Sequence, residues 1–266
     1  MNMLDVDRQL AIIAEAKNKR SVSVEELAQK LGVSANTIRR DLNKLARDGI
    51  LRRTHGGAVI NDFAGSDLPF GQREMKHGEE KELIGAVAAS LVEDGDSVIL
   101  DAGTTCLCVA RHLKGRKGLT VLTNSMAVAT ELSDTQNVVI LSGGVLRGET
   151  LSLVGPPAEE FFKGVHVHKL FLATGGVSLE RGLTNPNMHE VPVKKLMMRA
   201  ADEIIVVADH HKFGEVALCP FADLADVSRI VTDKGLPQDM REGVEKKVSL
   251  VIADEKLTSL RSVTKI

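Results

Sequence analysis

No stretch of this sequence approaches the roughly 20 consecutive apolar residues that cross a bilayer, and the first 13 residues lack the basic start and unbroken apolar core of a secretory leader. A cytoplasmic protein with no membrane partner is expected. Only three cysteines occur, Cys106, Cys108 and Cys219. They are too few and too unevenly spaced for a disulfide framework, so free thiols in a reducing compartment are expected. Internal repeats and low-complexity tracts are missing. So are the complete phosphate loop that closes on Gly-Lys-Ser/Thr and the spaced glycine fingerprint of dinucleotide sites, which argues against a nucleotide; no cofactor is expected. The net charge of −2 excludes a protein that coats nucleic acid indiscriminately.

The 266 residues are 43% hydrophobic and 26% charged, ordinary values for a folded chain long enough to hold two domains. The small net charge hides an asymmetry. Residues 1–60 carry 11 Lys/Arg against 7 Asp/Glu, or +4, and the remainder carries 23 against 29, or −6. The basic charge thus sits at the front, where a nucleic-acid footprint would need it.

Val6, Leu10, Ile13 and Ala14 recur at helical spacing before the polar break Lys17-Asn18-Lys19-Arg20. Ser23-Val24-Glu25-Glu26 then reads as a capping box that opens a second helix, with Val24, Leu27, Ala28 and Leu31 on one face and Gly32 as its stop. A third helix starts at once with Ser34 as cap, carries Ile38, Leu42 and Leu45 on its core face, and stops at Gly49. Two short helices across a tight glycine turn make a helix-turn-helix. Steps of 100° put Asn36, Arg40, Asn43 and Arg47 opposite the core stripe, with Thr37 and Lys44 on one flank and Arg39 on the other. Arg and Asn are the side chains that make bidentate contacts with guanine and adenine in the major groove. Asp41 lies beside the apolar face, placed to pair with a cation of the first helix or cap a neighbouring backbone, and Asp48 lies at the helix end. A solvated basic helix in an unrelated three-helix domain is the plainer explanation of the same pattern.

Residues 50–55 and 58–60 flank Gly56-Gly57 as a short β-hairpin, a wing on which Arg52, Arg53 and His55 would supply phosphate or minor-groove contacts. The run Ser34-Ala35-Asn36-Thr37-Ile38-Arg39-Arg40-Asp41-Leu42, then Gly49, then Arg52-Arg53-Thr54-His55-Gly56-Gly57-Ala58, resembles the recognition helix and wing of DeoR-family bacterial regulators. The resemblance implies a sequence-specific reader of operator DNA, usually a repressor of sugar-catabolic genes.

Residues 61–76 collect Gly, Ser, Asp and Pro without a sustained period and read as a linker between a DNA-binding domain, 1–60, and a second domain, 77–266. In the second domain helices alternate with short apolar runs at 97–100, 119–122, 138–141, 170–173, 204–208, 230–232 and 248–252. Such alternation predicts an α/β fold with a mainly parallel sheet.

Ligands of such sheets bind at the carboxyl ends of the strands. There the sequence places Asp101-Ala102-Gly103-Thr104-Thr105, Thr123-Asn124-Ser125, Ser142-Gly143-Gly144, Thr174-Gly175-Gly176 and Asp209-His210-His211-Lys212-Phe213-Gly214. Gly103-Thr104-Thr105 at a helix start offers backbone N–H groups, two hydroxyls and the positive end of a helix dipole, all suited to phosphate. A strand-to-helix turn with threonine caps explains any one such loop; five at one sheet edge favour a ligand site. Glu190, Lys194, Asp209 and Lys212 are candidates for hydroxyl and phosphate recognition, although Glu190 and Lys194 also fit a surface i, i+4 pair. These motifs resemble the sensor domain of DeoR-type regulators, whose fold is similar to ribose-5-phosphate isomerase. The resemblance implies a phosphorylated sugar or sugar derivative as effector, bound by Asp101, Gly103, Thr104, Thr105, Asn124, Gly143, Gly144, Gly175, Glu190, Lys194, Asp209 and Lys212. The stretch Asn185-Pro186-Asn187-Met188-His189 has no role assigned by it.

A metal site at His166 and His168, with His210-His211, is set aside, and no metal is expected. Cys106, at a helix start, is either mildly reactive through the helix dipole or, more commonly for such residues, buried and structural. The rival to a ligand-responsive regulator is an enzyme, a phosphosugar isomerase whose front helices serve only assembly, since Asp101, Glu190 and Asp209 could do acid–base work. A third reading is a non-catalytic module that binds protein through its front helices. A basic outer helix face beside a basic wing has no use in an isomerase, so a non-enzyme is expected. Helix-turn-helix proteins read paired half-sites, so a homodimer or homotetramer is expected as well.

Overall fold

The computed structural model describes residues 5–19, 21–47, 51–60 and 69–254. The chain divides into two compact units, Met1–Gln72 and Arg73–Ile266.

In the first unit, α1 (Asp5–Lys19) leads through β1 (Ser21–Ser23) into α2 (Val24–Leu31), which turns at Gly32 into α3 (Ala35–Arg47). The Ser23 hydroxyl accepts the Glu26 N–H, and Gly32 takes the left-handed conformation at φ 64°, so the predicted cap and stop are both present. Ser34 caps α3 by accepting the Thr37 N–H at 3.1 Å. The helices bury Ile12, Leu27, Ile38, Leu42 and Leu45 in one core. The expected stop at Gly49, Asp48, Ile50, the 61–68 part of the expected linker and the side chains of Val6, Leu10, Arg47 and Arg52 lie outside the described residues.

The wing is β2 (Leu51–Thr54) paired antiparallel with β3 (Gly57–Ile60), with His55-Gly56 rather than Gly56-Gly57 as the connecting pair. Gly57 belongs to the ladder because β1 pairs there as a third strand, Ser23 opposite Gly57. A Cβ on Gly57 would lie 2.1 Å from the Val22 carbonyl oxygen, so only glycine allows the strands this close. β1 was invisible in the sequence pattern because three residues cannot display a period.

The segment 61–76 is not irregular throughout: α4 (Phe70–Met75) occupies part of it. Lys81 explains its end, since its buried ammonium donates to the carbonyls of Arg73 and Lys76 and satisfies acceptors that a helix terminus leaves open.

The second unit alternates helix and strand: α5 (Gly78–Ala89), β4 (Ser97–Leu100), α6 (Thr104–Leu113), β5 (Thr120–Thr123), α7 (Met126–Leu132) and β6 (Val138–Leu141). A hairpin follows, β7 (Val145–Arg147) and β8 (Ser152–Val154), then α8 (Pro156–Lys163) and β9 (Val167–Leu172). The remainder is β10 (Gly176–Ser178), β11 (Gly182–Asn185), α9 (Val191–Arg199), β12 (Ala201–Val207), β13 (Cys219–Ala222), β14 (Arg229–Asp233), α10 (Gln238–Glu245) and β15 (Ser249–Ala253). Seven strands form one sheet in the order β15-β14-β12-β9-β4-β5-β6, and every pair in it is parallel. All seven predicted apolar runs are strands of this sheet, displaced by at most a few residues.

Alternation along β4 gives Val98 and Leu100 to a core with α5, α6 and α7, and Ile99 to a second core with Phe162 of α8, Val193 and Met197 of α9 and Val244 of α10. Burial on both faces is why the strands read as continuous apolar runs. The short antiparallel strands, β7 with β8 and β10-β11-β13, also escaped sequence reading: β7, β8 and β10 have three residues, and the four of β11 and of β13 lack the continuous apolar run that marks β4.

Candidate functional site

On α3 the core residues Ile38, Leu42 and Leu45 are buried, which turns Asn36, Arg39, Arg40, Asn43 and Lys44 outward. Asn36, Arg39, Arg40, Asn43 and Ala46 line an open groove of about 780 Å³ together with Arg53 of the wing. Thr37 is half-buried, and its hydroxyl lies 2.9 Å from that of Ser34, so both are engaged in the cap. Arg53 donates to the Gly57 carbonyl of its own hairpin, which fixes the guanidinium at the edge of the groove. His55 stands exposed at the wing tip.

Among the described residues the groove carries no carboxylate, because Asp41, the one acid of α3, is buried on the other side. Arg8 of α1 grips it with two bonds, Nε to Oδ2 at 2.6 Å and Nη2 to Oδ1 at 3.2 Å, and Gln9 adds a third at 3.4 Å. The pairing with a cation of the first helix expected from sequence is therefore present. It removes negative charge from the outer face and locks the orientation of α3 against α1.

In the second unit, the five loops singled out in the sequence follow β12, β9, β4, β5 and β6, which are consecutive in the sheet and parallel, so all five open on one edge. From β4 the chain builds outward to β5 and β6, then crosses to the opposite side of β4 with β9. The crevice between the ends of β4 and β9 is thus the switch point where open α/β sheets take ligands.

Asp101 and Ala173 meet there. Asp101, 1% exposed, accepts the N–H groups of Ala102 at 2.8 Å and Ala173 at 3.0 Å, and Lys194 of α9, 2% exposed, reaches it at 2.5 Å. Lys194 also donates to the Ala173 carbonyl at 2.9 Å. Burial lifts the Asp101 carboxyl above the ordinary range despite the ammonium. Burial opposes charge on Lys194 too, but Asp101 and Glu190 outweigh it and hold the ammonium above the usual lysine value. Asn124 joins the group by accepting the Ala102 N–H at 3.0 Å.

Glu190 is buried at the start of α9, and Lys194 is one turn along. They are not a surface pair. Glu190 instead accepts from Arg147 at 2.6 Å, Thr150 at 2.9 Å and Ser152 at 2.8 Å through one oxygen, and from Asn185 at 3.0 Å through the other. Burial works against its charge, yet Lys194 and these donors hold its carboxyl below the ordinary value. Arg147, Thr150, Ser152 and Asn185 were all missed by sequence reading. The alternation of Thr150 and Ser152 was the one local hint, and nothing local connected either to Glu190.

Gly103-Thr104-Thr105 enters α6 beside Asp101. A Cβ on Gly103 would lie 2.6 Å from the Ala173 Cβ, so the loop needs glycine there to pack against the end of β9. Thr104 and Thr105 are buried, and neither hydroxyl has a hydrogen-bond partner among the described residues. Gly143 and Gly144 are exposed, at φ 71° and 118°, and turn the chain from β6 into β7; Gly175 accepts close approach by Pro186. Among the described residues, direct hydrogen bonds join none of these three glycines to the group around Asp101.

In the fifth loop Asp209 is buried and accepts the His211 N–H at 3.1 Å. The Lys212 ammonium makes no ion pair among the described residues; burial, with Arg73 and Lys76 nearby, holds its pKa below the lysine value against the pull of Asp209 and Glu215. His210 bonds Asp233 at 2.7 Å, and His211 stacks on His77 with ring centroids 3.6 Å apart. These interactions account for His210-His211 without a metal, and His166 faces Asp202 while His168 faces Asp96 and Ser97. Among the described residues no group of three or more His, Cys, Asp or Glu side chains is arranged to hold a metal ion. Cys106 is fully buried, and burial with the Asp101 charge pushes its thiol far up, so the reactive reading of this residue is wrong.

The comparisons agree with this division of labour. Residues 8–63 match the DeoR-like helix-turn-helix domain, and residues 76–234 match the DeoR C-terminal sensor domain. The chain belongs to the DeoR family of transcriptional regulators. Similar relatives include the uncharacterized HTH-type transcriptional regulator YulB of Bacillus subtilis, 39% identical over 93% of this chain and 96% of that protein. GlpR, an HTH-type transcriptional regulator of Haloferax volcanii, is 39% identical over 91% and 95%. GlcR, an HTH-type transcriptional repressor of B. subtilis, is 36% identical over 93% and 97%. Among solved structures, ribose 5-phosphate isomerase A of Methanocaldococcus jannaschii aligns over 53% of this chain and 56% of its own at 18% identity, with a TM-score of 0.39. None of the described helices is long and apolar enough to cross a membrane.

Proposed function

We propose that this DeoR-family protein represses sugar-catabolic genes by reading an operator through α3 and its wing, and that a phosphorylated sugar or sugar derivative relieves the repression. The observation that carries the first half is the groove of Asn36, Arg39, Arg40, Asn43 and Arg53, from which the burial of Asp41 withdraws the one carboxylate of α3. Asn36, Arg40 and Asn43 would read base edges, with Arg47 on the same helix face; Ser34, Thr37, Arg39, Lys44, Arg52, Arg53 and His55 would hold the backbone. Two half-sites call for two copies, so the working form is a homodimer or homotetramer.

The second half is supported by the hydroxyls of Thr104 and Thr105 at the start of α6, which have no partner among the described residues, and by Lys212, which makes no ion pair among them. Backbone N–H groups, the helix dipole and an ammonium all favour an anion. Asp101, Asn124, Glu190 and Lys194 would then select the sugar hydroxyls, with Asp209 beside Lys212 and with Gly103, Gly143, Gly144 and Gly175 shaping the loops. Release follows if the effector binds the arrangement that reads DNA poorly more tightly than the one that reads it well. Turnover is disfavoured because the basic outer face of α3 beside a basic wing has no use in an isomerase.

A panel of phosphorylated sugars tests this in a thermal-shift screen, repeated with operator DNA. One compound is expected to raise the melting temperature and to release the DNA, and Lys212→Ala to weaken its binding while operator affinity is kept. Stabilisation by the unphosphorylated sugar equal to that by its phosphate, or unchanged effector affinity in Lys212→Ala, would overturn the assignment.

A further inference from the structure

β6 ends the seven-stranded sheet, and its outer edge has no neighbour among the described residues. The Val138 and Ser142 N–H groups donate inward to Leu119 and Thr123 at 2.9 Å, so alternation aims the N–H and C=O groups of Val139 and Leu141 away from the sheet. Proteins protect such an edge with charge, proline or a bulge. Here the strand is Val138-Val139-Ile140-Leu141, with none of these.

Its surroundings are apolar as well. Val138 is 56% exposed, and Val145 and Leu146 of the following hairpin are 64% and 49% exposed, with Ile140 and Leu141 over one-third exposed. Val138 and Ile140 lie on one face of β6 and Leu141 on the other, so apolar side chains flank the open edge on both sides.

We infer that the β6 edge and the β7 corner form a two-fold interface with a second copy of this chain, in which β6 pairs antiparallel with the partner's β6. Two-fold pairing presents a strand to itself, so one open edge satisfies both copies without a complementary surface elsewhere. The chain's own last residues, 255–266, are a poorer occupant: they depart from β15, six strand spacings or roughly 29 Å away across the sheet. The inference rests on the proposal of a self-associating regulator, but sedimentation without DNA separates its failure from failure of DNA reading.

Sedimentation of the full chain at tens of micromolar should give an even-numbered assembly, and V138K/V145E should halve its mass with the circular dichroism spectrum unchanged. A monomeric parent chain, or a folded variant of undiminished mass, would overturn the inference. Amide exchange on the unaltered chain decides if the variant does not fold. The Val139 and Leu141 amides should be protected at least ~100-fold against the unfolded-chain rate, and exchange within about tenfold of that rate would overturn the pairing.

Discussion

Replacing Lys194 by Met separates what the buried Asp101–Lys194 pair costs from what it holds together. Met keeps most of the volume of the lysine stem, so the main change is that Asp101 loses its counter-charge at 1% exposure. Two N–H donors, Ala102 and Ala173, remain on the carboxylate, and both were already in place. Removing one partner of a buried pair costs about 3–5 kcal/mol, whereas replacing both by uncharged groups costs far less. For a domain of this size each kcal/mol lowers Tm by about 2–4 °C, so Lys194→Met should melt some 6–20 °C lower. The double variant D101N/K194M should recover most of that loss. The sign follows from protonation: burial already lifts the Asp101 pKa, and without Lys194 it rises further, so the single variant should be relatively more stable in mild acid than at neutral pH. Calorimetry of parent, both single variants and the double variant closes the cycle. A Lys194→Met loss below about 1 kcal/mol, or a double variant no better than the single, would refute the claim that these charges depend on each other.

Arg8→Ala should unfold the DNA-binding unit alone, by about 3–5 kcal/mol, because it strands Asp41 in the core; a domain-resolved melt that shifts only the second unit would contradict it. The stack of His77 on His211 should open in acid, since burial first and His211 second pull the His77 pKa below 6.5. A depressed pKa means the stabilisation is complete above pH 6.5 and is lost as pH falls from there through the folded value, which imidazole NMR shifts would follow. Cys106 should stay unmodified by a water-soluble thiol reagent in the native protein and react on unfolding; labelling of native Cys106 at the rate of a free thiol would show that the helix start is open.

Much of this was legible in the sequence where local periodicity and capping determine structure. Ser23, Gly32 and Ser34 announced the helix boundaries, Ile38, Leu42 and Leu45 the buried face of α3, and the seven apolar runs the sheet. The two-residue period of β7, β8, β10, β11 and β13 had too few repeats to be seen, and with them went the partners of Glu190. Glu190 and Lys194 illustrate the ambiguity best. Their spacing fits a surface pair, and only the fold turns one toward the hairpin and the other toward Asp101, 93 residues away.

The central claim is that the outer face of α3 reads sequence. The direct measurement is the affinity of the full chain for fragments of its own upstream region and for a scrambled fragment at about 150 mM salt, where nonspecific attraction is weak. A single preferred site is predicted, with Arg40→Ala reducing the preference by about 1–3 kcal/mol for each base that the arginine reads. Equal affinity for the scrambled fragment, or an Arg40→Ala variant with undiminished preference, would contradict the account.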